Sequence, residues 1–272
     1  MKILFIGDIV GKPGRQALAL FLRKVQEAHD IALTIANGEN AAGGFGITPD
    51  TAEDLLRLGV DVITSGNHIW DKKDVLGYIP KESRLLRPLN YPPGAPGYGS
   101  IVVTARGGTK VAVLNVSGRV FMNDFDCPFR TTLAEIETIA GEALVRVVDT
   151  HAEATSEKVA FGRFLDGRVS AVVGTHTHVQ TADERILPGG TAYITDLGMT
   201  GPSESVIGVE TEIVVRKFLT GMPERFETAK LHPQMQGVVI EVDPGSGLAL
   251  GIERISLRAT ATATASSGGA EN

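Results

Sequence analysis

The first third of the chain alternates short apolar runs with a segment whose apolar residues recur at helical spacing. Lys2–Asp8 and Ile31–Asn37 are apolar runs of strand length. Residues 13–28 lie between them and carry Leu18 and Leu22 on one helical face. This order predicts a strand, a helix and a second strand.

A second helix is marked by its end signals. Thr48 is a favourable N-cap residue, Pro49 suits the first helical position, and Gly59 suits the position that ends a helix. Val60–Ser65 follows as a third apolar run. Strands that alternate with helices in this way predict a parallel sheet joined by right-handed crossovers.

The middle of the chain begins with a hairpin pattern. Ser100–Ala105 and Lys110–Ser117 flank the turn sequence Arg106-Gly107-Gly108-Thr109. Thr132 with Glu135 resembles a capping box and predicts that a helix starts there. Three further apolar runs continue the alternation: Val147–Thr150, Val169–Val173 and Thr191–Thr195.

The last part of the chain is strand-like. Residues 226–257 carry a strand pattern, with Gly237 and Pro244-Gly245-Ser246-Gly247 as predicted turns. Residues 259–272 consist of Ala, Thr, Ser and Gly with a polar end, which predicts a flexible C-terminal tail. Because the sequence shows neither a repeat nor a linker, we expect residues 1–258 to form a single α/β domain.

Polar clusters directly follow five of the apolar runs. They are Gly7-Asp8, Asn37-Gly38-Glu39-Asn40, Gly66-Asn67-His68, Asp149-Thr150-His151 and Gly174-Thr175-His176-Thr177-His178. In open α/β sheets the carboxyl ends of parallel strands form the ligand crevice. If the strands are parallel neighbours, the following side chains converge at one edge of the sheet: Asp8, Glu39, Asn67, His151, His176 and His178.

Carboxylates, an amide oxygen and imidazoles together are a set of metal ligands. On extended chain His176 and His178 can both face inward, because side chains alternate between the two faces. A histidine taken alone is more often a surface or core residue, and we interpret His29 and His232 in that way. The other four histidines all lie just past apolar runs and beside glycines, a coincidence that favours a metal site.

Composition narrows the classes of function. The chain has 272 residues, 43% hydrophobic and 21% charged, which is typical of a globular protein. A net charge of −6 argues against a general DNA-binding protein, which needs a broad basic face. One cysteine, Cys127, excludes internal disulfides and Cys-rich zinc sites and fits a reducing compartment. The sequence has neither a signal h-region nor a run of about 20 apolar residues, so we expect a cytoplasmic protein.

Two other kinds of site are disfavoured. The glycines Gly7, Gly11 and Gly14 do not have the G-x-G-x-x-G spacing of dinucleotide-binding loops, and the sequence lacks a Gly-Lys-Ser/Thr phosphate loop. A serine or cysteine nucleophile is equally disfavoured, because no Gly-x-Ser-x-Gly elbow occurs and Cys127 has no histidine nearby in sequence.

The polar clusters, in this order, resemble the calcineurin-like metallophosphoesterase superfamily. The pair Gly66-Asn67-His68 and Gly174-Thr175-His176-Thr177-His178 is its most specific element. Two motifs depart from the usual pattern. Asp8 is followed by Ile9-Val10 without the histidine of Asp-x-His, and Gly38-Glu39-Asn40 stands in place of Gly-Asp.

These departures match a bacterial subfamily of 2′,3′-cyclic-nucleotide phosphodiesterases. The similarity covers nearly the whole chain except the tail, including Gly7–Gly11, Ala36–Gly44, Thr64–Asp71, His151–Lys158 and Gly174–Gly201. It implies a four-layer α/β/β/α sandwich of the metallophosphoesterase type and a centre of two metal ions, most often iron, with manganese as an alternative. By the family pattern, Asp8, Glu39, Asn40 and His178 would hold one ion. Glu39, Asn67, His151 and His176 would hold the other, so that Glu39 bridges.

A centre of this kind predicts a mechanism. Two cations about 3.5–4 Å apart bind a bridging hydroxide together with the phosphoryl oxygens. On extended chain, His68 would point away from its neighbour Asn67 towards the leaving oxygen, and we expect it to protonate that oxygen. The alternative is that His68 only supports a metal ligand. Trp70 and Asp71 are candidates to orient the His68 loop.

Further residues and partners follow from the same reasoning. Glu153 and Asp196 are candidates to orient ligand imidazoles, and the segment Gly43-Gly44-Phe45-Gly46 is a candidate edge of the substrate pocket. The expected substrate is a small phosphodiester or nucleotide; a cyclic nucleotide, an RNA end and a generic diester stay open. Neither a stable nucleic-acid partner nor a membrane is expected, and Tyr91–Tyr98 is a candidate contact loop of a homo-oligomer. The alternative functions are a broad-specificity phosphomonoesterase and a metal-binding scaffold.

Overall fold

The computed structural model of the protein describes residues 1–259. Of the predicted tail, only Ala259 falls in this range, where it is buried and its N–H donates to the Pro233 carbonyl at 2.9 Å. The strands are β1 (Lys2–Ile6), β2 (Asp8–Ile9), β3 (Ile31–Asn37), β4 (Val62–Thr64), β5 (Ser100–Thr104), β6 (Lys110–Ser117), β7 (Val145–His151), β8 (Ala171–Thr175), β9 (Arg185–Ile186), β10 (Ala192–Ile194), β11 (Met199–Pro202), β12 (Pro233–Val242) and β13 (Ala249–Arg258). The helices are α1 (Gly11–His29), α2 (Pro49–Leu58), α3 (Pro128–Thr138), α4 (Thr155–Phe164) and α5 (Thr211–Thr220), with a 3₁₀ turn over Lys73–Gly77.

The first sheet contains the N-terminal strands and the C-terminal hairpin. Its strand order is β2-β11-β12-β1-β3-β4, with β13 paired to β12. β1, β3 and β4 are parallel, whereas β12 runs antiparallel to β1. Helices α1 and α2 cover its outer face, where Leu18, Leu22 and Leu55 pack against Leu4 and Ile6.

The second sheet has the order β5-β6-β7-β8-β10-β9. β6, β7, β8 and β10 are parallel, and β5 joins β6 through the predicted hairpin. Helices α3 and α4 cover its outer face, where Ile136 and Phe161 pack against Leu114 and Val148.

The two sheets face each other across a shared apolar layer. Phe5 and Ile35 of the first sheet pack there in one cluster with Val113, Val147 and Val173 of the second. Because both faces of these strands are buried, they are continuously apolar instead of alternating. The layers are therefore helix, sheet, sheet and helix, which confirms the predicted four-layer α/β/β/α sandwich.

Local signals predicted several elements well. β3 has the predicted bounds. In α2, Thr48 is the N-cap, Pro49 is the first residue and Gly59 is the C-cap with φ +107°. The expectation of one sheet edge was wrong, because the strands that carry the polar clusters belong to two sheets. Sequence periodicity reports which faces of a strand are buried and not which strand lies beside it.

Two predicted signals have a different role in the structure. Thr132 lies inside α3, which begins at Pro128 after the N-cap Cys127, so the predicted capping box was wrong. Pro128 suits the first helical position and explains the earlier start. Gly237 is not a turn but lies within β12, where a Cβ would come 2.2 Å from the Phe5 carbonyl oxygen of the neighbouring strand.

The helices in residues 1–259 include none that is both long and apolar enough to cross a membrane.

Candidate functional site

The carboxyl ends of strands from both sheets meet at one end of the sandwich. In the first sheet, Asp8 comes after β1, Glu39 after β3 and Asn67 after β4. In the second sheet, His151 ends β7, and both His176 and His178 come after β8. Asn40 lies next to Glu39. The structure brings all seven predicted ligand residues into one cluster, and Asp8, Glu39 and His151 are fully buried in it.

One half of the cluster is built around His151. Its Nε2 lies 2.9 Å from Asn67 Oδ1, 3.1 Å from Glu39 Oε1 and 3.0 Å from His176 Nδ1. Glu39, His151 and His176 form a group whose ligand atoms all lie within 4.8 Å of one another. Separations of about 3 Å between such atoms are those expected around an ion bound at about 2.0–2.2 Å.

Hydrogen bonds outside the cluster orient the two imidazoles of this half. His151 Nδ1 lies 2.9 Å from Thr175 Oγ1, and that hydroxyl donates to Asp149 Oδ1 at 2.7 Å. Thr175 can therefore only accept from His151 Nδ1–H. His176 Nε2 lies 3.0 Å from Glu153 Oε2. Each ring thus has one nitrogen bound outside the cluster and directs its other nitrogen inward, as metal-binding histidines do.

The second half of the cluster contains Asp8, Asn40 and His178. Asp8 Oδ1 is buried without a hydrogen-bond partner and lies 3.9 Å from His178 Nε2. Asn40 Nδ2 lies 3.1 Å from Glu39 Oε1 and 3.3 Å from His178 Nε2, while its Oδ1 has no partner. A half-turn of the amide would direct Oδ1 to the same point. His178 Nδ1 donates to the Ile207 carbonyl at 2.8 Å, which leaves Nε2 for the cluster.

The chemistry of this donor set fits a metal ion. Several electron-pair donors face one another at about 3 Å, and two buried oxygens, Asp8 Oδ1 and Asn40 Oδ1, are left without partners. Buried acceptors without donors are costly, and a cation would satisfy them together. The cluster can therefore hold a metal ion, and Glu39, His151 and His176 offer it the most closely grouped ligand atoms.

The pKa shifts reflect the same excess of electron-pair donors. Burial raises the pKa of the Asp8 carboxyl to about 6. Burial would lower the pKa of His151, but the carboxylates of Glu39, Asp8 and Asp149 outweigh it and raise the value to about 9. Conversely, burial would raise the pKa of Glu39, whereas the charge and hydrogen bond of His151 lower it to about 2. The carboxylates that raise the pKa of His151 would equally favour a cation at this position.

His176 has the opposite shift to His151. Burial and the positive charge of His151 lower its pKa to about 3. The neutral ring therefore keeps Nδ1 as an electron-pair donor beside His151 Nε2.

His68 lies beside the cluster and not within it. The segment is a turn, with Ile69 N–H donating to Gly66 O and Asp71 N–H to His68 O, so the predicted extended conformation was wrong. The His68 backbone N–H donates to Glu39 Oε2 at 3.1 Å, while its ring Nδ1 lies 2.8 Å from Asp71 Oδ2. Asp71 thus orients the ring, and Nε2 is the nitrogen left for the adjoining cavity that His68 lines. Trp70 instead packs edge-on against Tyr91.

The segment that carries His176 and His178 is also not extended. Both residues have positive φ, 96° and 65°, so the chain turns after β8. Between them, the Thr177 N–H and hydroxyl donate to Asp196 Oδ2 at 3.2 and 2.7 Å. Asp196 therefore binds the turn itself. The expectation that Asp196 orients a ligand imidazole was wrong. Glu153 does contact an imidazole, that of His176.

Lys158 is a residue that the sequence reasoning missed. Its Nζ is buried beneath the His176–His178 turn and donates to Thr175 O and to Asp196 Oδ2, both at 2.7 Å. Its position could have identified it, because Lys158 shares the buried face of α4 with Phe161. A lysine on an apolar helix face indicates a buried partner.

Replacing Lys158 with methionine is expected to lower the free energy of unfolding by about 3–5 kcal/mol, because it leaves the buried Asp196 carboxylate without its cation. Urea unfolding of the variant and of Lys24→Met, an exposed lysine on α1, measures the difference. Equal unfolding midpoints for the two variants would contradict the structural role of this ion pair.

Over residues 4–255 the chain matches the protein family described as YmdB-like protein. The 2′,3′-cyclic-nucleotide 2′-phosphodiesterase of Bacillus subtilis (strain 168) is 48% identical over 255 residues, which cover 94% of this chain and 96% of that protein. A crystal structure of a hypothetical protein from Thermus thermophilus matches with a TM-score of 0.89 at 42% identity, covering 95% of this chain and 99% of that one. A crystal structure described as a novel phosphatase, from Mycoplasma pneumoniae, matches with a TM-score of 0.89 at 37% identity over 95% of this chain and 93% of that one.

Proposed function

This chain belongs to the YmdB-like protein family and is a phosphoric ester hydrolase, and we propose that it hydrolyses 2′,3′-cyclic nucleotides such as 2′,3′-cAMP. Membership in the family confirms the resemblance inferred from the motifs. The observation that carries the proposal is the cluster itself, in which electron-pair donors converge at about 3 Å around Glu39 with His68 at its side. The name of the Bacillus subtilis relative supports the choice of substrate.

We propose that the cluster holds two metal ions. Asp8, Glu39, Asn40 and His178 would bind one ion, and Glu39, Asn67, His151 and His176 would bind the other. Iron is our first expectation, as the family resemblance implies, and manganese is the second. Ligands of this mixed oxygen and nitrogen kind suit iron, manganese and zinc alike. When bound, the ions supply Lewis-acid chemistry that withdraws charge from phosphoryl oxygens and lowers the pKa of water.

The protein's own residues would hold the imidazole ligands in one orientation. Thr175 and Glu153 hold the His151 and His176 rings with one nitrogen inward, and the Ile207 carbonyl does the same for His178. The Lys158–Asp196 ion pair holds the turn that carries two of these rings. These hydrogen bonds are made before any substrate arrives, so the geometry needs little reorganisation during the reaction.

His68 is the proposed proton donor. Hydrolysis breaks one bond between phosphorus and a ribose oxygen, and that oxygen leaves as an alkoxide unless it receives a proton. With Nδ1 bound to Asp71, the Nε2–H of the protonated ring is free to donate to the leaving oxygen. A positioned donor of this kind contributes about 10²–10⁴-fold to the rate.

A substrate panel tests the proposed function. Protein loaded with Fe²⁺ or Mn²⁺ is assayed against 2′,3′-cAMP, bis(p-nitrophenyl) phosphate and p-nitrophenyl phosphate. We expect hydrolysis of both diesters, with 2′,3′-cAMP giving the highest kcat/KM. Faster hydrolysis of the monoester would favour a phosphomonoesterase, and no hydrolysis of any of the three by metal-loaded protein would contradict an enzymatic role.

Gly66 provides a test of the metal proposal that does not depend on activity. A Cβ at this position would lie 2.2 Å from His151 Nε2 and 2.5 Å from Glu39 Oε2, inside the cluster. We expect Gly66→Ala to weaken metal binding by at least about 10- to 100-fold, measured as metal per chain after purification without chelator. Gly141→Ala is the matched control, because a Cβ there meets nothing within 4 Å. Equal metal content in the two variants would argue against the proposed ligand set.

Three broader expectations accompany this proposal. We keep residues 1–258 as a single domain, which the apolar layer shared by the two sheets supports. The presence of a single cysteine supports a reducing location such as the cytoplasm. A small phosphodiester is the expected partner, and a homo-oligomer stays a prediction.

A further inference from the structure

The cavity beside the cluster has an apolar part that the proposed chemistry does not use. The cavity measures about 280 Å³. Besides cluster residues such as Glu39 and His178, its lining includes the apolar side chains of Phe45, Ile207 and Phe226. A phosphate group gains nothing from apolar side chains, so this part of the lining suits a different portion of the substrate.

We propose that Phe45, Ile207 and Phe226 form a subsite for the nucleobase of a nucleoside cyclic phosphate. This inference rests on the proposed function and adds to it the group that distinguishes a nucleotide from other diesters. Aromatic and apolar side chains bind the flat face of a nucleobase by stacking, and every base has such a face.

The position of Phe45 agrees with the direction of the reaction. In the hydrolysis of a 2′,3′-cyclic phosphate, the water oxygen bonds to phosphorus, one ribose oxygen leaves phosphorus, and a proton is delivered to that oxygen. The proton donor therefore lies beside the ribose, which also carries the base. The Phe45 ring packs edge-on against His68, with ring centroids 5.2 Å apart. Phe45 is thus on the side of the site where the nucleoside would lie.

The loop that carries Phe45 is held in place. Gly43, Gly44 and Gly46 have φ values of +76°, +100° and +76°, which favour glycine and allow the tight loop. Thr228 Oγ1 donates to Gly43 O at 3.0 Å, and a Cβ on Gly44 would lie 2.3 Å from the same hydroxyl. The loop is therefore packed on the segment that contains Phe226, and the two parts of the subsite form one unit.

Ile207 joins the subsite to the cluster. It has φ +47°, which is rare for a β-branched residue and indicates a functional constraint. This conformation accompanies two roles: the carbonyl accepts from His178 Nδ1, and the side chain, 51% exposed, lines the cavity.

Charge and size favour a single nucleoside over the end of an RNA strand. Within the described part of the chain, the cavity lining contains neither lysine nor arginine. Lys217, whose Nζ lies 4.4 Å from the centroid of the Phe226 ring, does not belong to that lining. A strand needs a positively charged groove along its phosphates. A cavity of about 280 Å³ also lies just below the range of about 300–1,000 Å³ for ligand sites, which suits a small ligand.

A matched pair of substrates tests the subsite. Metal-loaded wild-type protein and Phe45→Ala are assayed with 2′,3′-cAMP and with methyl riboside 2′,3′-cyclic phosphate, which carries the same reacting ring without a base. We expect Phe45→Ala to lower kcat/KM for 2′,3′-cAMP at least about fivefold, mainly through KM, because stacking is equal in the ground and transition states. The riboside should lose much less kcat/KM than 2′,3′-cAMP does, because it carries no base to contact Phe45, and Phe45→Tyr should retain the wild-type preference.

Binding gives a readout that does not depend on turnover. Calorimetry with adenosine 3′-phosphate should show weaker binding to Phe45→Ala by the same factor, whereas inorganic phosphate should bind equally to both proteins. Phe218→Ala, an exposed phenylalanine of α5 that does not line the cavity, is the control and should match the wild type in both assays.

The contradicting outcomes are distinct. Equal kcat/KM of the wild type for the two cyclic phosphates, or an equal fall in kcat for both in Phe45→Ala, would overturn the subsite and leave the proposed function standing. A trinucleotide that ends in a 2′,3′-cyclic phosphate should react at least about tenfold more slowly than 2′,3′-cAMP, because added backbone charge meets no basic groove. An equal or faster rate would overturn the preference for a single nucleoside. Inactivity towards both cyclic phosphates and bis(p-nitrophenyl) phosphate would overturn the proposed function together with the inference.

Discussion

Replacing Glu39 with glutamine is expected to lower kcat/KM for 2′,3′-cAMP by at least about 10²-fold and to reduce bound metal below that of the wild type. Glu39 Oε1 lies among the electron-pair donors of both halves of the cluster, 3.1 Å from both His151 Nε2 and Asn40 Nδ2. Glutamine keeps the shape but removes the charge between the two proposed ions. Elemental analysis and steady-state kinetics on the same preparation measure both effects.

The matched control is Glu137→Gln on the exposed face of α3, which should leave metal content and turnover unchanged. If Glu39→Gln kept wild-type metal content and turnover, Glu39 could not be shared by two ions, and the proposed centre would be wrong.

Replacing His68 with alanine is expected to lower kcat for 2′,3′-cAMP by about 10²–10⁴-fold while bound metal stays unchanged. The reason is that His68 lies beside the cluster, with its ring bound to Asp71 and not to any of the proposed ligands. The loss should be much smaller with bis(p-nitrophenyl) phosphate, because p-nitrophenolate is a good leaving group and needs little proton donation. Comparison of the two substrates therefore separates proton donation from binding.

His29→Ala, at the partly exposed end of α1, serves as the control for the loss of a histidine. Unchanged turnover in His68→Ala with metal still bound would exclude proton donation. A loss of metal would instead favour the alternative in which the His68 side chain supports the metal ligands, because alanine keeps the backbone N–H that donates to Glu39.

Much of the candidate site could be predicted because its residues are identified by their immediate neighbours in the sequence. Each proposed ligand directly follows an apolar run, and an apolar run that ends in a polar cluster marks the carboxyl end of a strand wherever that strand lies. α2 was predicted to the residue for a similar reason, since Thr48 and Gly59 make their capping interactions within the segment. Family resemblance then supplied the four-layer arrangement that periodicity alone did not.

The rest depends on contacts between residues far apart in sequence. Asp149 and Thr175 orient His151, and Ile207 orients His178, but neither spacing nor residue type identifies them as partners. The turn at His176 and His178 is equally non-local, because Asp196 stabilises it through Thr177.

Stepwise metal loading tests the two-ion centre most directly. Metal-free protein is titrated anaerobically with Fe²⁺, and in parallel with Mn²⁺, while bound metal per chain and hydrolysis of 2′,3′-cAMP are followed together. The two proposed ligand sets share Glu39, so activity should rise steeply only as the second ion binds each chain and should be lost again with a chelator. Full activity of the metal-free protein, or full activity reached with one ion per chain, would contradict a centre of two ions.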